Sequence, residues 1–272
     1  MSEGQFRGRP AQRPIQRQDP LLQWSSGNVK EIDAKGKRDY TGFYAERGRD
    51  EEFDKAMGQV YQPMVIRHSG GNDVKHWLID DVELIPIISQ VDTFQTIKNG
   101  PERFGMSIGW INIDGKGQSF LRFLAFLRPI ISYFPHPIMV TLKKTVTQDM
   151  VNALLRQYDV IEFIEKTRES AGKKRFGYPF YAVSMRLGIG ISERRGSTQT
   201  TEVAPPINLA PEELNTEYAK SVFIGKDQYL INLVEDMIDQ AERWSVIDSK
   251  ATASQEQGNE DQELMRLGHG VH

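Results

Sequence analysis

Cationic and aromatic residues are concentrated between Lys166 and Arg195, where their types point most clearly to a chemistry. Eight Lys or Arg residues stand there against two acids, around Phe176, Tyr178, Phe180 and Tyr181. Cations neutralise phosphate groups and flat rings stack on bases, so this combination is typical of surfaces that hold single-stranded nucleic acid. A half-buried strand beside an ordinary basic loop would give the same pattern without any ligand.

Ten residues are candidates for contact with nucleic acid. Tyr178, Phe180 and Arg186 would share one face of a predicted strand over residues 178–191, between two groups of cations. Arg122 and Arg128 interrupt an apolar run, so one edge of this segment would face solvent or an anion, or the two arginines would form structural ion pairs. The full predicted set is Arg122, Arg128, Lys173, Lys174, Arg175, Tyr178, Phe180, Arg186, Arg194 and Arg195.

Motifs for nucleotide binding and nucleophilic catalysis are missing from the sequence. The segment from Gly109 to Lys116 has one residue too many between its glycines for a P-loop, and Gly117 stands where the hydroxyl residue belongs. The five histidines show no metal-ligand spacing, and the chain has no cysteine. We therefore expect a non-enzymatic protein without a cofactor or a metal.

Two alternatives remain open at this point. The acidic cluster Asp80, Asp81 and Glu83 could bind a divalent cation, as in a metal-dependent nuclease, or could be a solvated loop or strand end. Polar, flexible termini also suit a structural or assembly protein that forms homo-oligomers.

Charge is segregated along the chain, although the net charge is only −3. Residues 1–18 carry Arg7, Arg9, Arg13 and Arg17 against one Glu, and residues 251–272 carry four acids against one Arg. The predicted organisation is a disordered basic arm and charged linker over 1–55, one core domain over 56–247 and a disordered acidic tail over 248–272. The arm and the tail are candidate binding segments for a protein partner.

Short apolar runs separated by turn residues predict the core elements. The strands are expected at residues 60–67, 76–88, 106–114, 138–144, 178–191 and 198–203, and residues 120–127 fit either a strand or a buried helix. Thr147 is a plausible N-cap for an amphipathic helix running to about Arg168, and a last helical region is expected near 211–244. Between them lies the basic loop, residues 170–177, with the sequence SAGKKRFG.

These elements predict an α+β fold with a mostly antiparallel sheet or a partly open, OB-like barrel, one central amphipathic helix and a C-terminal helix. The layout resembles that of single-stranded-DNA-binding proteins, which join a β-rich core to an acidic tail. This tail ends LGHGVH, without the acidic apolar terminal peptide of the bacterial examples. No secretory signal or membrane-spanning run is found, so a cytoplasmic location is expected.

Overall fold

A computed structural model describes residues 20–33, 36–67, 73–87, 106–113, 116–143, 146–195 and 201–237 of the 272-residue chain. The predicted acidic tail, 248–272, and residues 1–19 of the predicted arm lie outside this described part.

The described part consists of twelve strands and four helices. The strands are β1 (Leu21–Asp33), β2 (Gly36–Glu46), β3 (Pro63–Arg67), β4 (Asp73–Ile79), β5 (Val82–Pro86), β6 (Met106–Ile113), β7 (Lys116–Leu127), β8 (Ile138–Lys143), β9 (Met185–Ile189), β10 (Glu193–Arg195), β11 (Thr201–Val203) and β12 (Pro206–Asn208). The helices are α1 (Glu51–Val60), α2 (Thr147–Ser170), α3 (Thr216–Val222) and α4 (residues 228–237). Single turns of 3-10 helix occupy Arg128–Ile130 and Phe180–Ala182.

Ten of the strands form one mixed sheet in the order β12, β9, β5, β7, β8, β1, β2, β4, β3, with β6 also paired to β7. The pair β1 and β8 runs parallel, whereas the other strand pairs of this sheet within the described residues are antiparallel. Strand β3 pairs with β1 as well as with β4, so β1, β2, β4 and β3 curl back on themselves. The result is an α+β fold in which the sheet forms a partly open half-barrel.

Apolar side chains cover both faces of this sheet. On one face, α2 buries Met150, Val151 and Leu154 against strand residues such as Phe123 and Val140. On the other face, a smaller cluster joins strand residues to α4, and it contains Ile85, Ile87, Phe126, Leu230 and Val234. Burying each of these side chains contributes about 1.5 to 3 kcal/mol, so the packing of α2 on the first face fixes its position on the sheet.

Side-chain caps begin three of the helices, and at α4 Asp227 accepts a hydrogen bond from the Leu230 N–H at 3.1 Å. Asp50 accepts a hydrogen bond from the Phe53 N–H at 2.9 Å, and Asn215 accepts one from the Tyr218 N–H at 2.8 Å. Each satisfies a donor that the first helical turn leaves free. The predicted cap at the start of α2 is not found, because Thr147 is itself the first helical residue and Val146 precedes it without a side-chain cap.

The described chain becomes ordered well before the predicted boundary at residue 55. Residues 21–46 form the hairpin of β1 and β2 inside the main sheet, and α1 follows. Leu22 and Phe43 are fully buried there. These residues therefore belong to the core and not to a disordered linker.

Several other predicted elements can be compared directly with the structure. The ambiguous run 120–127 is part of β7, because it pairs with β8 on one side and with β6 and β5 on the other. The strand predicted at 138–144 is confirmed as β8, and a helix is present over the predicted range as α2. The strand predicted at 178–191 is wrong in its first half, since only Met185–Ile189 is a strand.

Within the described residues, none of the helices combines the length and the apolar composition that crossing a membrane requires.

Candidate nucleic-acid interface

The basic loop is held in one shape by a buried carboxylate. Glu165, on the last turns of α2, is 2% exposed and accepts hydrogen bonds from the N–H groups of Phe176, Gly177 and Tyr178 at 2.9, 2.7 and 3.0 Å. Burial by itself would raise the pKa of the Glu165 carboxyl, but these three donors, with help from Arg175, hold the pKa below its usual value. The carboxylate is therefore charged at neutral pH and fixes the loop backbone.

Two glycines give the loop its path. Gly172 has a φ of 73° and Gly177 a φ of 77°, in the left-handed region that other residues rarely adopt. Gly172 follows the end of α2, which is the usual place for such a residue, and its N–H bonds to the Glu169 carbonyl at 2.9 Å.

Phe176 places an aromatic ring in solvent at the end of this loop. The ring is 67% exposed, and its centre lies 4.8 Å from the Tyr178 ring at an angle of 33°. The Arg168 guanidinium lies 5.8 Å from the Phe176 ring and 5.6 Å from the Tyr178 ring, and its Nη1 donates to the Tyr178 hydroxyl at 3.2 Å. Arg168 therefore braces both rings and leaves part of Phe176 open.

The three cations of the basic loop differ in whether they already form an ion pair. Lys173 and Lys174 are exposed, and neither forms an ion pair with an acid of the described part of the chain. Arg175 donates through both terminal nitrogens to the Glu162 carboxylate and lies 3.8 Å from Glu169. Lys173 and Lys174 are thus free for an anion, whereas Arg175 already has a partner.

Phe180 does not join the exposed rings. It is 3% exposed, lies on the 3-10 turn Phe180–Ala182 and packs with its ring centre 5.1 Å from that of Tyr158 on α2. The prediction that Tyr178, Phe180 and Arg186 share a strand face fails, because the strand begins only at Met185. Stacking Phe180 on a base would require opening the core.

Arg128 and Arg186 both face the same carboxylate. Arg128 Nη1 lies 2.5 Å from Glu83 Oε1, and it also donates to the Ser184 hydroxyl at 2.7 Å and to the Ser221 carbonyl at 2.9 Å. Arg186 Nε lies 3.6 Å from Glu83 Oε2. Of the two alternatives for Arg128, the structure places it in an ion pair that ties β5 to the segments around Ser184 and Ser221.

The ion pairs of Glu83 also limit what the acidic cluster of Asp80, Asp81 and Glu83 can bind. Glu83 is occupied by two arginines, while Asp80 and Asp81 are exposed in the turn between β4 and β5. Within the described residues, no group of three or more His, Cys, Asp or Glu side chains is placed to hold a metal ion. No observation here favours the nuclease alternative.

Arg195 and Arg194 lie near the other end of α2. Arg195 donates to both carboxylate oxygens of Asp149 at 2.5 and 2.8 Å, and also to Glu193. Hydrogen bonds with these two acids, first of all Asp149, raise the pKa of the Arg195 guanidinium. Arg194 is exposed on β10. Twenty residues of helix separate Asp149 from Glu169, or about 30 Å at 1.5 Å per residue, so the two basic groups do not flank one surface.

Arg122 lies on β7, where its backbone is opposite Thr141 of β8 and Ser107 of β6. Its side chain is not among those that the structure describes.

The candidate interface is therefore smaller than the predicted one. It retains Lys173, Lys174 and Tyr178 from the predicted set and adds Arg168 and Phe176. Glu165, which holds the loop, was also missed, because composition does not distinguish it from Glu162 and Glu169 on the same helix. The signal that could have found it is its position four residues after Ile161, on the apolar face of the predicted helix.

No family model matches the chain, and neither a curated protein nor a solved structure matches it.

Proposed function

We propose that the protein binds single-stranded nucleic acid, with little sequence preference, through the basic loop. The observation that carries the proposal is the exposed Phe176 ring, braced by Arg168 and Tyr178 beside the free cations Lys173 and Lys174. We propose a binding function without catalysis or a cofactor. We also propose a cytoplasmic location, because a chain without cysteine has no disulfide bond that a reducing compartment could break.

Each part of the loop has a separate task in this proposal. Phe176 stacks on a base, an interaction that contributes about 1 to 3 kcal/mol and tolerates any base because each base has a flat face. Lys173 and Lys174 neutralise phosphates and release counterions. Glu165 fixes the backbone beforehand, so less conformational entropy is lost when the strand binds.

A single strand suits this surface better than a duplex. In a duplex the base faces are stacked on each other, whereas an unpaired base can turn its face to a protein ring.

We also propose that the fold is OB-like. The partly open half-barrel supports this proposal, because an OB-fold is likewise a partly open barrel.

The test is fluorescence anisotropy with single- and double-stranded oligonucleotides of one sequence at two salt concentrations. We expect tighter binding of the single strand and weaker binding at the higher salt. Replacing Lys173 and Lys174 together with Ala should reduce the slope of log affinity against log salt by about 0.7 for each phosphate that the variant no longer neutralises. Phe176→Ala should cost about 1 to 3 kcal/mol of affinity for normal strands and much less for strands with abasic sites.

Two controls separate the site from general effects. The double replacement of Lys55 and Lys75 with Ala removes the same charge from exposed positions on α1 and β4, and it should leave the salt slope unchanged. Phe176→Ala should change the free energy of unfolding by no more than about 0.5 kcal/mol, because its ring is 67% exposed. The proposal fails if wild-type protein takes up no strand, or if the loop variants bind like the wild type.

A further inference from the structure

The start of α4 repeats the residue pattern of the basic loop. The loop contains GKKRF at residues 172–176, and the chain contains GKDQY at residues 225–229. In both, a glycine in a turn precedes a lysine, and an aromatic residue follows three positions after that lysine. Tyr229 is 59% exposed, and Lys226 is exposed and forms no ion pair with an acid of the described part of the chain. The second segment therefore offers the same two groups as the loop, a ring in solvent and a free cation.

A row of ring contacts joins the two segments in space. The ring centres of Phe176 and Tyr178 are 4.8 Å apart, and those of Tyr178 and Phe223 are 5.1 Å apart at an angle of 77°. The Phe223 ring lies against Gly225, where a Cβ would collide with it. The row thus runs from the basic loop to the exposed Gly225 backbone, next to Lys226.

The backbone on both sides of Lys226 is held in place. The Asp227 N–H donates to the Ile224 carbonyl at 2.8 Å, and the Asp227 carboxylate accepts the Leu230 N–H at 3.1 Å. Leu230 is 7% exposed and anchors the first turn of α4 in the smaller apolar cluster. The Asp227 carboxylate is engaged at the helix start, while Lys226 and Tyr229 remain in solvent.

We infer that the single strand also occupies a second position at the start of α4, where Tyr229 stacks on a base and Lys226 neutralises a phosphate. The second position rests on the proposed function, because it extends the same interface beyond the basic loop. The ligand is then an oligonucleotide that follows the row of rings, and not a single nucleotide. Sites of about 4 to 16 nucleotides occur in OB-type proteins that bind single strands.

The first experiment is an anisotropy titration of the full chain with a labelled strand of about 12 nucleotides, which is within that range of site sizes. Tyr229→Ala should weaken binding by about 5- to 140-fold, the loss of one stacked base, and should leave the salt slope unchanged. Tyr229→Phe keeps the ring and should bind within about twofold of the wild type. Lys226→Ala should reduce the slope of log affinity against log salt by about 0.7.

The matched control variant carries Lys75→Ala and Tyr133→Ala. Tyr133 is also 59% exposed, and Lys75 is exposed on β4. Affinity and salt slope should both stay at the wild-type values. Urea unfolding of Tyr229→Ala should show the wild-type midpoint, because the ring lies mainly in solvent, so a loss of affinity is not a loss of fold.

A second measurement locates the strand on the protein directly. A photoreactive thiothymidine strand of about 12 nucleotides is cross-linked to the wild type, and the modified tryptic peptides are identified by mass spectrometry. We expect adducts in the peptide of residues 176–186, which contains Phe176, and in that of residues 227–243, which contains Tyr229. Adducts in the first peptide alone would overturn the second position.

Failure of the second position can be told from failure of the proposed function. If the wild type binds, Phe176→Ala weakens binding and the Tyr229→Ala and Lys226→Ala variants bind like the wild type, only the second position is overturned. If Phe176→Ala binds like the wild type while Tyr229→Ala loses affinity, the second position is supported and the role of the basic loop is overturned. If the wild type takes up no strand, both are overturned.

Discussion

Phe176 and Phe180 are four residues apart and have opposite environments. Phe176 is 67% exposed at the end of the basic loop, whereas Phe180 is 3% exposed and packs on Tyr158. Both belong to the same aromatic run, so composition cannot predict which of the two rings is buried and which is exposed. The loop that Glu165 holds decides which ring reaches solvent, because it turns the chain between the two positions.

Glu165 is the residue on which the shape of the basic loop depends most directly. Glu165→Gln keeps the size of the side chain but removes the charge from three hydrogen bonds. We expect a loss of about 1 to 3 kcal/mol in the free energy of unfolding near neutral pH, measured with urea. Glu169→Gln is the matched control, because that acid is exposed and lies 3.8 Å from Arg175, so its replacement should cost no more than about 0.5 kcal/mol.

The comparison of the wild type with Glu165→Gln also gives an expected dependence of stability on pH. The folded pKa of Glu165 lies below its ordinary value of 4.5, so the stabilisation is present above that value and is lost as the pH falls through the folded pKa. The difference in unfolding free energy between wild type and Glu165→Gln should therefore shrink below pH 4.5. A difference that grows as the pH falls would contradict this role.

At the scale of elements, α2 carries the candidate interface at one end and a structural ion pair at the other. Arg195 of β10 binds Asp149 in the first turn of α2, where a carboxylate also suits the helix dipole. The two side chains are 24% and 18% exposed, so water screens the pair only in part. The ribbon of β10 and β11 is thereby attached to the start of the helix.

Neighbouring arginines on this ribbon provide a direct comparison. Arg195→Ala should lower the free energy of unfolding by about 1 to 3 kcal/mol, because it leaves the half-buried Asp149 carboxylate without its partner. Arg194→Ala removes the same charge from an exposed position and should change stability by no more than about 0.5 kcal/mol. Thermal or urea unfolding of the two variants measures both values. Equal effects would show that the ion pair does not hold the ribbon.

At the scale of the whole molecule, the hairpin of β1 and β2 joins the two parts of the half-barrel. Strand β1 pairs with β2 on one side and with β8 and β3 on the other, while β2 pairs with β4. Leu22, Trp24 and Phe43 of this hairpin are buried in the main core. Removing it would expose the core and leave the edge of β8 unpaired.

Two truncated chains test the position of the core boundary. A chain that lacks residues 1–55 should show no cooperative unfolding, because it loses β1 and β2. A chain that lacks residues 1–19 retains every described strand and helix, and it should unfold cooperatively near the wild-type temperature. Circular dichroism during heating distinguishes the two. Cooperative unfolding of the shorter chain would restore the predicted boundary at residue 55.

The reason for the missed hairpin is visible in its residues. Leu22 and Trp24 alternate with Gln23 and Ser25, but the pattern is short and the hairpin contains a charged stretch from Lys30 to Asp39. Over a longer window that charge resembles a disordered linker. Only pairing with β8, β3 and β4 shows that the hairpin is part of the sheet.

The sequence by itself determined what depends on neighbours along the chain. It located the helix α2, the strand β8 and the concentration of cations and rings near the basic loop, because periodicity and composition are local properties. The tertiary structure alone decided which of those charges are free. Glu83 and Arg128 are 45 residues apart, and Asp149 and Arg195 are 46 apart, so their pairing follows from packing and not from spacing. The same packing buried Phe180 and left Phe176 in solvent.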